Sequence, residues 1–242
     1  MNYKITLAFD GASFSGWQFQ KNARTVQGTI TECASRFFGV PVTVTGCSRT
    51  DSKVHADNYV CNIVSPKAIS PKGIVRGMNT VLPPEIAFKE CEEAEDSFHA
   101  RYDCKKKEYR YLIQNTEHRD PFLRDRVLHF PNTLDAEKMN EDAKKFIGTF
   151  DYSAFMAAGS KITDAVRTVY SAEVCEKNGI ITFCVSANGF LYNMVRIMTG
   201  TLIDINLGRN KMDIKDIIET RDRRYAGFTA PPQGLYLHRV YY

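Results

Sequence analysis

The chain opens with strictly alternating apolar and polar positions, a pattern that predicts a β-strand. Every second residue from Tyr3 to Phe9 is large and apolar, as expected for a strand with one buried face. After a glycine-rich loop the apolar spacing changes to that of a helix, which we expect to begin after Thr25 and to end at Gly39. The two periods together predict mixed α and β structure.

The same patterns continue and predict a complete α+β half over residues 1–96. Strands are expected over 42–45, 58–64 and 85–91, with a helix that Ser70-Pro71 opens before the last of them. The resulting order of strand, helix, strand, strand, helix and strand is that of a ferredoxin-like fold. No low-complexity linker follows, so we expect this half to continue directly into the next.

Residues 97–242 show a second set of strands and helices. We predict strands over 106–114, 166–175, 180–185 and 235–242, and helices from Asp135 to Gly148, from about 190 to 207 and over 214–219. Asn178-Gly179, between two of these strands, is the strongest short hairpin signal in the chain. We therefore expect an α+β protein of two ferredoxin-like or RRM-like halves, each an antiparallel sheet backed by helices.

Composition places the chain among ordinary soluble globular proteins. Hydrophobic residues make up 43% and charged residues 25% of the 242 residues, and the formal net charge is +4. No apolar run is long enough to span a membrane and the N-terminus lacks an apolar signal segment, so we expect a cytoplasmic protein. The seven cysteines form no Cys-x-x-Cys pair and the histidines show no ligand spacing, which favours reduced thiols and no metal.

The run from Gly46 to His55 is the most informative stretch of the chain. It lies between two predicted strands, so Arg49 and Asp51 fall on a loop, where a rigid scaffold can present a carboxylate. The alternative is a structural role in which Asp51 accepts hydrogen bonds within the turn. A second unusual residue is Arg196, a charge in a mostly apolar helix, which needs a partner because an unpaired buried charge is costly.

The run over 46–55 resembles the Gly-Ala-Gly-Arg-Thr-Asp-Ala-Gly-Val-His signature of the TruA family of tRNA pseudouridine synthases. Shorter stretches in the same order also resemble that family: Phe9-Asp10-Gly11, Gly16-Trp17-Gln18, Thr25-Val26-Gln27, Phe98-His99-Ala100-Arg101, Tyr109-Arg110-Tyr111, Val166-Arg167-Thr168, the run from Phe190 to Arg196, and Gly234-Leu235. Each stretch alone is weakly specific, but together they span nearly the whole chain. The resemblance implies that the two halves form one pseudouridine synthase catalytic fold with a central cleft.

The resemblance also implies roles for individual residues. Asp51 is expected to be the nucleophile, which attacks the sugar C1′ or the pyrimidine C6 of a uridine and forms a covalent intermediate. Arg196 is expected to pair with Asp51, which would lower the pKa of that carboxyl and orient it. Tyr109 is expected to stack on the target base and to take part in proton handling. Arg49 is expected to fill the gap left by a flipped nucleotide or to bind its phosphate.

For the protein as a whole, the resemblance implies isomerisation of uridine to pseudouridine at positions 38, 39 and 40 of the tRNA anticodon stem-loop. It implies a homodimer that holds one tRNA across both subunits, and a reaction without cofactor or metal. One alternative is a catalytically quiet tRNA-binding paralogue or RNA chaperone, which the retained Asp51, Tyr109 and Arg196 argue against. Another is an aspartate-dependent hydrolase, which lacks a second acidic or histidine motif at useful spacing.

Two groups of basic residues are candidate phosphate contacts. Lys105, Lys106 and Lys107 form one cluster, and the run from Arg221 to Arg224 forms another, each with a tyrosine close by in the sequence. A solvated charged face is the plain alternative for both. Next to a motif for RNA modification, contact with tRNA phosphates becomes the stronger expectation.

The catalytic loop departs from the family signature at Cys47, Ser48, Ser52 and Lys53. Lys53 replaces a glycine, and a glycine would permit left-handed backbone angles or a close approach of RNA. Either the loop keeps its usual path and Lys53 contacts a tRNA phosphate, or the loop takes a different path and accepts other uridines. We predict the first, because the residues on both sides of the departure match the signature.

Overall fold

A computed structural model describes residues 1–159 and 162–242 and divides the chain into two compact units. The first unit comprises Met1–Lys105 together with Tyr236–Tyr242, and the second comprises Lys106–Leu235. The sequence-based division at 96/97 differs from this one. Residues 97–105 and the last strand, which the sequence patterns placed in the second half, cluster with the first unit.

The first unit contains five strands and two helices in the described part of the chain. They are β1 (Asn2–Phe9), α1 (Val26–Phe38), β2 (Thr43–Gly46), β3 (His55–Val64), α2 (Pro71–Val81), β4 (Ile86–Ala94) and β10 (Leu235–Tyr241). Strand β1 pairs antiparallel with β3 and β4, and β2 pairs antiparallel with β3. This is the predicted ferredoxin-like order. Strand β10 adds to it by pairing in parallel with the beginning of β3, through Tyr236 and Leu237.

Periodicity and capping explain the first unit locally. The alternating residues of β1 are all buried, as predicted. Helix α1 begins after Thr25, whose side chain accepts a hydrogen bond from Gly28 N at 3.3 Å, and ends at Gly39 with a φ of 67°. Ser70 caps α2 in the same way. No helix in the described ranges is both long and apolar enough to cross a membrane.

In its described residues, the second unit has an antiparallel sheet of four strands, with one short strand paired in parallel with β5. Its elements are β5 (Lys106–Gln114), β6 (Leu128–His129), α3 (Ala136–Lys144), β7 (Gly148–Asp151), β8 (Val166–Lys177), β9 (Ile180–Ala187), α4 (Met194–Asn206) and α5 (Ile214–Thr220). Strand β9 lies between β5 and β8, β7 pairs with β8, and β6 pairs in parallel with β5. The predicted hairpin turn is confirmed, since Asn178 and Gly179 have φ angles of 54° and 74°.

Two helix boundaries in the second unit differ from the prediction. Helix α3 ends at Lys144 rather than at Gly148, because the Phe146 ring turns into the core against Phe155 and its carbonyl accepts from the Tyr152 hydroxyl. Gly148, with a φ of 139°, then begins β7. Two further strands, β6 and β7, were not predicted, since each is too short to show a period of its own.

Helix α4 begins at Met194, four residues later than the apolar pattern suggested. Asn193 takes a left-handed conformation with a φ of 60°, which interrupts the helix. Phe190 leaves the helical path and packs edge-to-face on Tyr109, with ring centroids 5.0 Å apart. Tertiary packing therefore overrides the local period at this point.

A network of buried asparagines explains why residues 97–105 belong to the first unit. The Asn2 side-chain amide donates to the carbonyls of Glu95 and Phe98, both at 2.9 Å. Asn62 donates to Asn2 Oδ1 at 3.1 Å and accepts from Ala100 N at 3.0 Å. Because both asparagines are buried, each of these bonds satisfies a polar group that water cannot reach.

No disulfide joins any of the cysteines in the described part of the chain. Cys33, Cys47 and Cys61 are buried, whereas Cys175 is exposed. Burial, with a smaller contribution from Cys47, raises the pKa of the Cys61 thiol well above its ordinary value. A thiol that stays protonated is a weak nucleophile, so Cys61 acts as a small core residue.

We expect Asn62→Ala to lower the free energy of unfolding by about 2–3 kcal/mol, because it leaves Ala100 N and Asn2 Oδ1 buried without partners. Urea unfolding monitored by circular dichroism measures the change. Thr43→Ala, an exposed substitution on β2, is the control and should stay within about 0.5 kcal/mol of the unaltered protein. Equal stability of the two variants would mean that the asparagine network does not hold this unit together.

Candidate active site

Asp51 lies in the first unit, on the loop between β2 and β3. Strand β2 ends at Gly46, β3 begins at His55, and the antiparallel pairing of the two strands leaves residues 47–54 outside the sheet. The predicted placement of Arg49 and Asp51 on a loop between two strands is thus confirmed. Strand β3 begins three residues earlier than predicted, which shortens the loop.

A second loop, residues 10–17, holds the Asp51 loop through backbone contacts. Trp17 N donates to Thr50 O, and Lys53 N donates to Phe14 O, both at 3.2 Å. Two glycines permit this approach: an added Cβ would lie 2.0 Å from Val54 O at Gly11 and 2.5 Å from Thr50 O at Gly16. The Asp51 loop is therefore fixed by chain that lies about forty residues earlier in the sequence.

Buried His55 reinforces this junction at the start of β3. Its Nδ1 lies 3.0 Å from Gly11 N and 3.1 Å from Asp10 Oδ1. That atom accepts from the amide when it carries no proton and donates to the carboxylate when it does. In either form it ties β3 to the second loop.

Aromatic residues support the other end of the Asp51 loop. Trp17 stacks on Tyr59 with ring centroids 4.1 Å apart, and both rings are buried. The Tyr59 hydroxyl contacts the Ser48 carbonyl and also accepts from Ser48 N at 3.3 Å. Gly46 lies directly against both rings, where a Cβ would clash at 2.2 and 2.4 Å. Close packing thus orients the chain as it leaves the sheet.

Asp51 begins a tight turn that Lys53 completes. Val54 N donates to Asp51 O at 3.2 Å, and Lys53 has a φ of 65°. A positive φ at the third residue of such a turn is normally supplied by glycine. Lys53 therefore adopts the left-handed conformation that a glycine would permit, with its side chain exposed, at a cost in backbone energy of about 1 kcal/mol.

The immediate neighbours of Asp51 differ in burial. Asp51 itself is half-buried and Arg49 is exposed. Thr50 is only 8% exposed, and its hydroxyl is buried without a hydrogen-bond partner in the described part of the chain. The Thr50 hydroxyl, next to Asp51 in the sequence, is therefore a buried polar group whose hydrogen-bonding capacity the described residues do not satisfy.

The second unit carries Tyr109 and Arg196. Tyr109 lies on β5 and is buried, with its ring edge-to-face on Phe190. Arg196 lies on the first turn of α4, where its Nε donates to Ala230 O and its NH1 donates to Asn193 Oδ1, both at 2.7 Å. Arg196 thus has partners within its own unit. Its implied pairing with Asp51 stays a prediction.

Tyr111, two residues from Tyr109 on the same strand face, is structural. Its hydroxyl donates to Pro231 O at 2.6 Å. Burial raises the pKa of this phenol, and the nearby Arg196 charge opposes the rise only partly. Its proton is therefore held in a hydrogen bond to the backbone, so Tyr111 is a poor candidate for proton handling.

The basic clusters do not form simple charged faces. Lys106 and Lys107 are successive residues of β5, so their side chains point to opposite sides of the strand, while Lys105 precedes it and is exposed. In the second cluster, Arg221 lies 3.5 Å from Asp151 and Arg224 pairs with Asp222. Arg223 donates to Ala226 O and to the Thr229 hydroxyl. These arginines support local structure as well as carrying charge.

Sequence reasoning missed a small cavity beside the Asp51 loop. It has a volume of about 170 Å³, and its lining includes Ser48, Arg49, His99, Arg101 and Tyr102. Arg49 had a predicted role of its own, and the stretch from Phe98 to Arg101 was one of the family-like motifs without an assigned role; neither indicated a shared cavity. Its position next to Arg49 depends on contacts between distant parts of the chain.

Comparison with known proteins identifies the class. The sequence matches the profile of the family described as tRNA pseudouridine synthase over residues 5–103 and 143–242. The chain belongs to this family, and its α+β architecture is that of the pseudouridine synthase fold.

Individual relatives agree with that assignment over their whole length. Proteins named tRNA pseudouridine synthase A from Thermoanaerobacter sp. (strain X514) and Acetivibrio thermocellus are each 43% identical over 242 residues, which is 100% of this chain and 99% of each relative. The protein of that name from Ruminiclostridium cellulolyticum is 44% identical over 99% of this chain and 98% of its own. A chain of a solved Cbf5-Nop10-Gar1 complex is far more distant: it is 15% identical, with a TM-score of 0.35, over 83% of this chain and 53% of that chain.

We expect Lys53→Gly to raise the free energy of unfolding by about 0.5–1 kcal/mol, because glycine removes the left-handed strain while adding some freedom to the unfolded chain. Urea unfolding measures it. Lys53→Ala is the matched control, since it removes the same charge but keeps the strain, and it should bring no gain. Equal stabilisation by alanine would show that charge, not backbone strain, is the cause.

Proposed function

We propose that this protein isomerises uridine to pseudouridine in the anticodon stem-loop of tRNA, at positions 38, 39 and 40. The observation that carries the proposal is a loop matching the family signature around Asp51, in a chain that belongs to the family over most of its length. The loop also has the rigidity that the reaction demands, since backbone contacts and stacked rings hold it at both ends.

In this proposal Asp51 is the nucleophile. Its carboxylate attacks C1′ or C6 of the target uridine, the N-glycosidic bond breaks, and the base rotates and rejoins C1′ through C5. The bond to Asp51 breaks to regenerate the carboxylate, and the proton lost from C5 is balanced by the one gained at N1. A half-buried position suits this role, because the carboxylate stays within reach of a substrate while the loop keeps its orientation. Neither bond change requires a redox partner.

Tyr109, Arg196 and Arg49 complete the proposed site. Tyr109 stacks on the extruded base, and Arg196 supplies the positive charge that keeps Asp51 ionised; the evidence for both roles is the resemblance of their motifs to the family. Arg49 takes the place of the flipped nucleotide or binds its phosphate, and its exposure two residues before Asp51 suits either task.

The remaining parts of the proposal concern tRNA binding and assembly. Lys53, with its exposed side chain, contacts a phosphate close to the target uridine. Lys105, Lys106 and Lys107 contribute further phosphate contacts. The active form is a cytoplasmic homodimer that holds one tRNA across both subunits. The resemblance to the family supports these statements.

A catalytically quiet tRNA-binding paralogue is the weaker candidate. Its motivation is the altered loop, which departs from the family signature at Cys47, Ser48, Ser52 and Lys53. None of these departures removes the carboxylate at position 51, and Ser52 and Lys53 are exposed on the turn that follows it.

We expect Asp51→Asn to reduce pseudouridine formation by at least about a thousandfold while tRNA affinity stays within a few-fold, because the substitution removes the nucleophile and keeps its shape. Mass-spectrometric mapping of treated tRNA measures both the yield and the modified positions. Asp51→Ala is included because asparagine beside serine can deamidate to aspartate. Ser52→Ala, on the same turn, is the control and should remain active. Turnover by Asp51→Ala would remove Asp51 from the role of nucleophile.

We expect Arg196→Met to lower the single-turnover rate at saturating tRNA by about a hundredfold or more, since it removes the proposed charge partner of the nucleophile. Loss of the bonds to Ala230 and Asn193 is a competing explanation. Asn193→Gly separates the two, because glycine tolerates the φ of 60° and removes only the acceptor. It should cost less than tenfold. A loss as large as that of Arg196→Met would assign Arg196 a structural role.

A further inference from the structure

The cavity beside the Asp51 loop has the lining of a nucleotide-binding site. Arg49 and Arg101 carry positive charge at its edge, Tyr102 and His99 supply rings, and none of its lining residues is acidic. Its volume of about 170 Å³ is below the roughly 300–1,000 Å³ of pockets for drug-sized ligands, so it fits one ring system rather than a larger molecule.

The segment over 99–103, which carries the two rings, is stabilised by hydrogen bonds between its own backbone and side chains. His99 Nδ1 accepts from both Arg101 N and Tyr102 N at 3.2 Å, which places the ring proton of the neutral imidazole on Nε2. The Asp103 carboxylate accepts from His99 N at 2.8 Å, and Asp103 N donates to His99 O at 3.1 Å. The only acidic side chain of this segment is therefore engaged with the backbone.

The Tyr102 ring is largely exposed to solvent. Its ring stacks on His99 with centroids 4.2 Å apart and an interplanar angle of 29°, yet 77% of the residue is accessible. The Arg101 guanidinium carbon lies 6.0 Å from the ring centroid. A rigid ring with so much exposed surface, beside two arginines, is the arrangement on which proteins stack unpaired bases.

We propose that this cavity binds one unpaired nucleotide of the tRNA next to the target uridine, with its base stacked on Tyr102 and its phosphates at Arg49 and Arg101. The proposal rests on the proposed function for the identity of the RNA. The site lies on the same loop as Asp51, because Ser48 and Arg49 line it. Occupying it therefore helps to position the substrate strand at the nucleophile.

The test uses the full-length protein and anticodon stem-loop RNA with 2-aminopurine placed in turn at each loop position next to a target uridine. At one such position we expect binding to quench the fluorescence through stacking. Tyr102→Ala should abolish that quenching and weaken affinity about tenfold, whereas Tyr102→Phe should keep both. Tyr102 is exposed, so its removal leaves no cavity in the core. Tyr170→Ala, an exposed tyrosine on β8, is the matched control.

The salt dependence of RNA affinity distinguishes the phosphate contact of Arg101 from the base stacking of Tyr102. Arg101→Gln should reduce the slope of log affinity against log salt by about one, since one phosphate contact is lost, while Tyr102→Ala should leave the slope unchanged. A blunt duplex of the stem without its loop should bind Tyr102→Ala and the unaltered protein equally. Equal weakening of duplex and stem-loop binding by Tyr102→Ala would overturn the stacking assignment.

Failure of this inference is distinct from failure of the proposed function. If the unaltered protein forms pseudouridine and Tyr102→Ala keeps both quenching and affinity, the subsite is wrong and the function stands. If the unaltered protein forms none in any tRNA, but Tyr102→Ala still loses quenching and affinity, the function is wrong and the subsite stands as an RNA-binding site.

Discussion

The position of Asp51 depends on the close approach of two backbones, the loop over 10–17 and the loop over 47–54. At Gly11 and Gly16 a Cβ would lie 2.0 and 2.5 Å from carbonyl oxygens of the facing loop, so no other residue fits without movement of the chain. Gly16 also needs its φ of 86°. Backbone hydrogen bonds join the two loops at two places, and the Ser52 hydroxyl adds a bond to Phe14 O. A carboxylate held this way loses little further freedom when substrate binds.

Local sequence patterns correctly predicted the turns and helix starts that are determined by a few neighbouring residues. The hairpin at Asn178-Gly179 and the helix that begins after Thr25 were found because turn and cap residues determine them over a few positions. The start of α4 was missed because a left-handed Asn193 and the packing of Phe190 on Tyr109 override an apolar period that runs on unbroken. The division of the chain into its two compact units involves hydrogen bonds between residues about forty to one hundred and forty apart, which no local pattern reports.

The same distinction applies to the site. Two flanking strands were enough to place Asp51 on a loop. The roles of Gly11 and Gly16 could not be inferred, since a glycine-rich loop near the N-terminus says nothing about which segment will face it. The cavity around Tyr102 was likewise hidden, because Arg49 and the segment that carries Arg101 and Tyr102 lie about fifty residues apart in the sequence.

Buried and exposed residues are interspersed along the Asp51 loop, and this separates the residues that hold its backbone from those that face solvent. Cys47, Thr50 and Val54 are buried and anchor the loop, whereas Arg49 and Lys53 are exposed. Substitutions at the anchors would alter packing against Trp17 and the facing loop. Substitutions at the exposed positions change only what the loop offers to a ligand, at most with a small backbone cost such as that of Lys53. The departures at the exposed positions Ser52 and Lys53 therefore change the surface of the loop rather than the position of the Asp51 carboxylate.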